Sequence, residues 1–156
     1  MTDIALKWNV DHADIDVTDF DLETDEGLES ALIISLFTDR LVSTDQTLPI
    51  GETSRRGWWG DTFADVPNDL IGSRLWLLNR EKIMSDVLAR AKEYVIEATQ
   101  WLIDDKVSPR VDVIVESNAQ RYGELDIEVD VFRPTGAQVN FKFNYNWQAQ
   151  AAKVLT

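Results

Sequence analysis

The chain has 156 residues, 44% hydrophobic and 28% charged, the size and make-up of one folded domain, which excludes wholesale disorder and collagen-like repeats. Cysteine is absent, so disulfide staples, thiolate zinc sites, iron–sulfur clusters and cysteine nucleophiles are excluded. No apolar run approaches the ~20 residues that span a bilayer, and no basic start followed by an apolar stretch and a cleavage site reads as a secretory signal. The net charge is −13, and residues 1–30 alone carry ten acids and one base. Such a chain has no counterion-release drive toward nucleic acid or an anionic membrane; its acidic arm suits a basic protein partner, or simply solubility.

Near the start, Ile4, Leu6, Trp8 and Val10 alternate with Ala5, Lys7 and Asn9, the period of a strand with one buried face. Residues 11–23 then alternate acids with apolar side chains and read as a ribbon laid on the domain, or as a loosely held arm. Thr24 is the expected N-cap of a helix, with Asp25 and Glu26 suited to its first turn. Leu28, Ala31, Leu32, Ser35 and Leu36 form one face of it. Ile33, Ile34 and Phe37 widen that face, so the helix is expected to be buried nearly all round and to end near Asp39.

Residues 41–70 hold Pro49, Gly51, Gly57, Gly60 and Pro67 without any regular period. A long irregular segment in a compact domain is usually functional or mobile. Leu75, Trp76, Leu77 and Leu78 read as a short buried turn. Ile83, Met84, Val87, Leu88, Ala91, Tyr94, Val95, Ala98, Trp101 and Leu102 step by three and one, which predicts an amphipathic helix to about Asp104, starting there or at Ser85 as a cap. Beyond Pro109, three period-two runs follow. They are Val111, Val113 and Val115; Leu125, Ile127, Val129 and Val131; and Val139, Phe141, Phe143, Tyr145 and Trp147. Each of the two intervening turns carries a glycine, so the runs read as an antiparallel meander.

The expected fold is therefore a single α+β domain over residues 1–156. It comprises an extended acidic segment at 1–23, a mainly helical part at 24–105 with the irregular loop 41–70, and antiparallel strands at 110–148 packed by one long and one shorter helix. Leu32, Leu36, Leu88, Val95, Leu102, Ile127 and Phe141 are expected in its core. The last strand is expected at or near a sheet edge. Its outer side chains Asn140, Lys142 and Asn144 include one charge and no proline, the devices that usually protect an edge.

Little in the sequence supports catalysis. The acids at 14, 16, 19, 21 and 23 lack the glycine of a calcium loop. No carboxyl is framed by an apolar cleft as a glycosidase acid would be. His12 sits in the acidic arm without an obvious serine partner, and Gly51, Gly57 and Gly60 lack the spacing of a phosphate loop. No catalytic, metal or cofactor site is expected. The unusual run is Arg55-Arg56-Gly57-Trp58-Trp59-Gly60-Asp61. Trp and Arg dominate interface hot spots, so this run reads either as a protein interface or as a structural corner, with Arg74 and Trp76 as supports.

Four stretches occur in order: "ESALIISLFTDRLVS", "RRGWWGD", "GSRLWLLNREK" and "ATQWLIDDKV". Together they resemble the phage Mu-type baseplate wedge proteins of contractile tails, similar in role to the small wedge protein of T-even phages. The resemblance runs from about residue 3 to residue 147. It implies a non-enzymatic part of the virion tail baseplate that binds the larger wedge proteins and helps to start the sheath. The charge and the lack of a long apolar run argue against a nucleic-acid partner and a membrane span. The rival readings are a carboxylate-based cell-wall glycosidase and an acidic nucleic-acid mimic, and neither has a distinguishing pattern of acids.

Overall fold

The computed structural model describes residues 3–15, 17–18, 21–22, 24–25, 27–79, 81–82 and 84–146. Six short strands come first: β1 (Asp3–Ile4), β2 (Leu6–Asn9), β3 (His12–Ile15), β4 (Val17–Thr18), β5 (Asp21–Leu22) and β6 (Thr24–Asp25). Helix α1 (Leu28–Phe37) follows, then 3₁₀ turns at Trp59–Phe63 and Leu75–Leu78, helix α2 (Ser85–Thr99) and the short α3 (Trp101–Asp104). Three longer strands close the fold: β7 (Arg110–Ser117), β8 (Glu124–Phe132) and β9 (Gln138–Asn146). The α+β class expected from the periodicities is the one observed.

The acidic N-terminal stretch is a ribbon. β1 pairs with β6, β2 with β3 and β4 with β5, all antiparallel. The β2–β3 hairpin turns through Val10, whose φ is 53°, and β3 is exposed along its whole length. Of the acids proposed there, Asp16, Asp19 and Glu23 lie outside the described residues, as do Ile83 and Trp147.

Both helices differ from expectation at their ends. α1 starts at Leu28, not after Thr24, because β6 takes Thr24 and Asp25 into a strand pair. Gly27 opens the helix at φ 82° with no side-chain cap, a conformation that glycine adopts at little cost. Nor is α1 buried all round: Ser30, Leu32, Ile33 and Leu36 are buried, but Ile34 is 42% exposed. The long helix begins at Ser85 with Met84 as the N-cap residue, so Ser85 is not the cap, and Met84 faces solvent. It breaks at Gln100, where the backbone bonds tighten to Gln100 N–H→Glu97 O at 3.3 Å. One residue earlier, Thr99 Oγ1 donates back to Val95 O at 2.9 Å, a bond that bends helices. The straight part is therefore about 22 Å long at ~1.5 Å per residue.

β7, β8 and β9 form one antiparallel sheet with β8 in the middle. Along β8, buried Leu125, Ile127, Val129 and Val131 alternate with half-buried Asp126, Glu128 and Asp130. The apolar face meets the stripe of α2, which buries Val87, Ala91, Tyr94, Val95 and Ala98, and α1 closes the layer with Leu32 and Leu36. Leu102 and Ile127 are also fully enclosed. Leu88 and Phe141 are only partly buried and flank the core instead of filling it. Both occupy the margins of their elements' apolar faces, which periodicity alone does not distinguish from the centre.

Candidate protein interface

The run of arginines and tryptophans divides into an inner and an outer half. Arg56 belongs to the inner half. Its two guanidinium ends donate to Asp39 Oδ2 at 2.7 Å and Glu52 Oε2 at 2.9 Å, and its plane lies 4.6 Å from the ring centre of Trp76. Trp76 is buried and its indole N–H donates to Arg40 O at 3.0 Å. Arg55 clamps the preceding turn, donating to the carbonyls of Ser43, Thr44 and Gln46. Arg74 donates to Glu97 Oε2 at 2.7 Å and lies over the ring of Tyr94.

Burial shapes the electrostatics of this cluster. Desolvation raises the Asp39 carboxyl above its ordinary value, against the pull of Arg56. The hydrogen bond from Arg56 holds Glu52 below its own ordinary value. Burial lowers the Arg56 guanidinium less than Glu52 and Asp39 raise it. Burial likewise pushes the Tyr145 hydroxyl far up.

The outer half faces solvent. Trp58 is 42% exposed, Trp59 73% and Phe63 76%. Trp59 touches Trp58 and Phe63 at ring-centre distances of 5.4 and 6.1 Å. The 3₁₀ turn that follows Trp58 is tied to the segment at Ile71, because Asp61 Oδ1 accepts Ile71 N–H at 3.1 Å. Asp61 Oδ2 is buried without a hydrogen-bond partner among the described residues. Gly60 is required here: a Cβ would lie 2.1 Å from the Trp58 ring. Phe63 was not singled out from the sequence. Its four-residue spacing from Trp59, in a segment with no core-facing period, is the signal that was there to read.

The last strand is an edge among the described residues, since β9 pairs only with β8. Glu124 O accepts Asn118 N–H, and Arg133 N–H donates to Ala137 O. Even-numbered residues of β8 thus address β7 and odd ones address β9. In an antiparallel ladder the directly opposed partners Asp130↔Asn140, Glu128↔Lys142 and Asp126↔Asn144 are then non-hydrogen-bonded pairs. The backbone groups of Asn140, Lys142 and Asn144 accordingly point away from the sheet. Their side chains are exposed and meet the acids of β8: Asn140 donates to Glu128 and Asp130, Lys142 pairs with Glu128 at 3.2 Å, and Asn144 donates to Asp126.

The described residues contain no group of three or more metal-ligating side chains, and no helix among them is long and apolar enough to cross a membrane. Asp39, the carboxyl with raised affinity for its proton, is committed to Arg56. The arrangement offers adhesive surfaces: an aromatic knob on a braced turn and a strand edge beside a row of acids.

Known proteins resemble the chain over nearly its whole length. The family profile described as "Phage protein GP46" matches residues 28–138. The chain is 42% identical to "Baseplate protein gp46" of Escherichia phage Mu over 92% of its own length and 95% of that protein. It is 40% identical to "Mu-like prophage FluMu protein gp46" of Haemophilus influenzae over 94% of its length and 98% of that protein. The matched stretch takes in the braced corner, the aromatic knob, both main helices and most of the sheet, and the chain belongs to the phage protein GP46 family.

Proposed function

We propose that this chain is a non-enzymatic structural subunit of a contractile-tail baseplate, carried by a phage or prophage and assembled in the host cytoplasm. End-to-end similarity to a protein named as a Mu baseplate component supports the role. Within it, the chain binds the larger wedge subunits through Trp58, Trp59 and Phe63. Arg55, Arg56, Asp61, Arg74 and Trp76 hold that surface in shape. The β9 edge, with Asn140, Lys142 and Asn144, receives the first sheath ring.

The observation that carries this reading is that Trp59 and Phe63 are 73% and 76% exposed on a turn tied to Ile71 by a hydrogen bond. An isolated protein gains nothing from exposing such rings, whereas a buried Trp at a contact centre contributes ~2 kcal/mol or more to association. Co-purification with the wedge subunits tests it. Trp59→Ser together with Phe63→Ser is expected to weaken capture ~30-fold or more and to leave the melting temperature unchanged. Undiminished capture would remove the knob from the interface.

A further inference from the structure

We infer that the β2–β3 hairpin is a stop at one end of the β9 edge, leaving only the stretch around Asn140 and Lys142 for an extended, basic segment of another protein. This rests on the reading of β9 as a docking edge and adds what sets the register there. Among the described residues, the hairpin takes two of the outward backbone groups of β9. The Trp8 indole N–H donates to Asn144 O at 2.7 Å, and Asn146 N–H donates to Val10 O at 3.1 Å. No bond from the hairpin reaches Asn140 or Lys142.

The hairpin is not a fourth strand of that sheet, because among the described residues β2 and β3 pair only with each other. It is anchored from behind. Trp8 stacks on Phe37 at 3.7 Å with rings 9° from parallel, and Leu6 N–H donates to Ser30 Oγ at 2.9 Å. A strand arriving along β9 therefore meets a fixed obstacle at Asn144.

Burial of the inner face changes at the same point. Beneath the hairpin, Phe143 and Tyr145 are 5% and 2% exposed. Beyond it, Phe141 and Val139 are only half-buried. The free stretch of edge is thus also the stretch whose apolar side chains lack cover. An added strand places alternate side chains on each face, so the occupant carries apolar residues inward, over Phe141 and Val139.

Its outward residues join a face formed by Asp112 and Glu116 on β7 and Asp126, Glu128 and Asp130 on β8, with Arg110 on β7 and Lys142 on β9 as its cations. Asp112 lies opposite Asp130 and Glu116 opposite Asp126; Arg110 pairs with Asp112 and Lys142 with Glu128, so the face keeps a net negative charge that favours an approaching cation. Lys or Arg at the outward positions fits. A second copy of this chain does not, since it brings another −13. About five residues of extended chain span the free stretch.

Amide hydrogen exchange followed by NMR on the full chain tests this, with a blocked hexapeptide of alternating lysine and valine as the probe. The peptide is expected to slow exchange at Asn140 and Lys142 by ~10-fold or more and to leave Asn144 and Asn146 unaffected. Alternating glutamate and valine should protect nothing. Trp8→Phe keeps a ring against Phe37 but lacks the indole N–H. In that variant peptide protection should extend to Asn144. Protection running through Asn146 in the unaltered chain overturns the stop and leaves the docking edge standing, whatever the fate of the variant. Peptide protection that still ends at Lys142 in Trp8→Phe removes the indole bond as the stop. Absence of protection anywhere on β9 in both proteins overturns the docking edge, and the stop falls with it.

Discussion

Arg56 has φ 52°, a left-handed conformation uncommon for a residue with a side chain. Its two carboxylate partners and the Trp76 ring hold it there. Arg56→Ala leaves Glu52 and the partly exposed Asp39 without their cation, and is expected to cost ~1–2 kcal/mol in denaturant unfolding. Arg56→Lys keeps the charge but reaches only one carboxylate, and should recover only part of that loss.

The same residues set an acid dependence. Glu52 is held down by the Arg56 hydrogen bond, and Asp130 by bonds from Asn140 and Gln138. Carboxyls lowered on folding stabilise the protein fully above their ordinary values and lose that contribution as pH falls through the lowered ones. Asp39 is raised by burial and has the opposite sign, with its contribution shrinking as pH rises through its raised value. Stability is therefore expected to fall on acidification below the ordinary carboxylate range, and Glu52→Gln should flatten part of that slope. Urea unfolding at stepped pH reads it. Equal slopes in the two proteins would clear Glu52 of the effect.

At the scale of elements, α2 and α3 share a stripe but not an axis. Leu102, on α3, is fully enclosed, whereas Leu88, on α2, is half-buried. Leu102→Ala is expected to cost ~2–5 kcal/mol, and Leu88→Ala to fall below that range. Denaturant midpoints that put Leu88 above Leu102 would contradict the packing described. On β9, the outward amide of Lys142 makes proline tolerable there, since no ladder bond to β8 is lost. Lys142→Pro should leave most of the stability in place and abolish pairing of a partner strand, which a sheath-assembly assay would report.

For the whole molecule, the two proposed contacts differ in physics. The aromatic knob is apolar, whereas the edge lies beside the three acids of β8, Asp126, Glu128 and Asp130. Salt shortens the range of exposed charges from about 10 Å at 0.1 M to about 3 Å at 1 M. Raising salt across that range should weaken capture of a basic strand and leave capture through Trp59 and Phe63 nearly constant. Equal salt dependence of the two would mean that the contacts are misassigned.

Much of this was written in the sequence, because local periodicity reports burial directly. The two apolar stripes, the three alternating strands and the buried Leu75–Leu78 turn were all legible, and Leu32, Leu36, Val95, Leu102 and Ile127 are core residues as their spacing implied. The four motif stretches pointed to the family for a different reason, since they preserve side chains that period alone does not require. Only the tertiary structure decided which arginine turns inward, because Arg55 and Arg56 are adjacent and chemically alike, and the difference lies in Asp39, Glu52 and Trp76 arriving from other segments. The start of α1 was also decided there. Thr24 is a good cap by propensity, but pairing of β6 with β1, a contact some twenty residues away in the chain, claims it first. The same holds for the end of β9, where Trp8, 136 residues earlier, reaches the carbonyl of Asn144. Contacts between distant segments depend on how the whole chain closes, and no local pattern of residues encodes that.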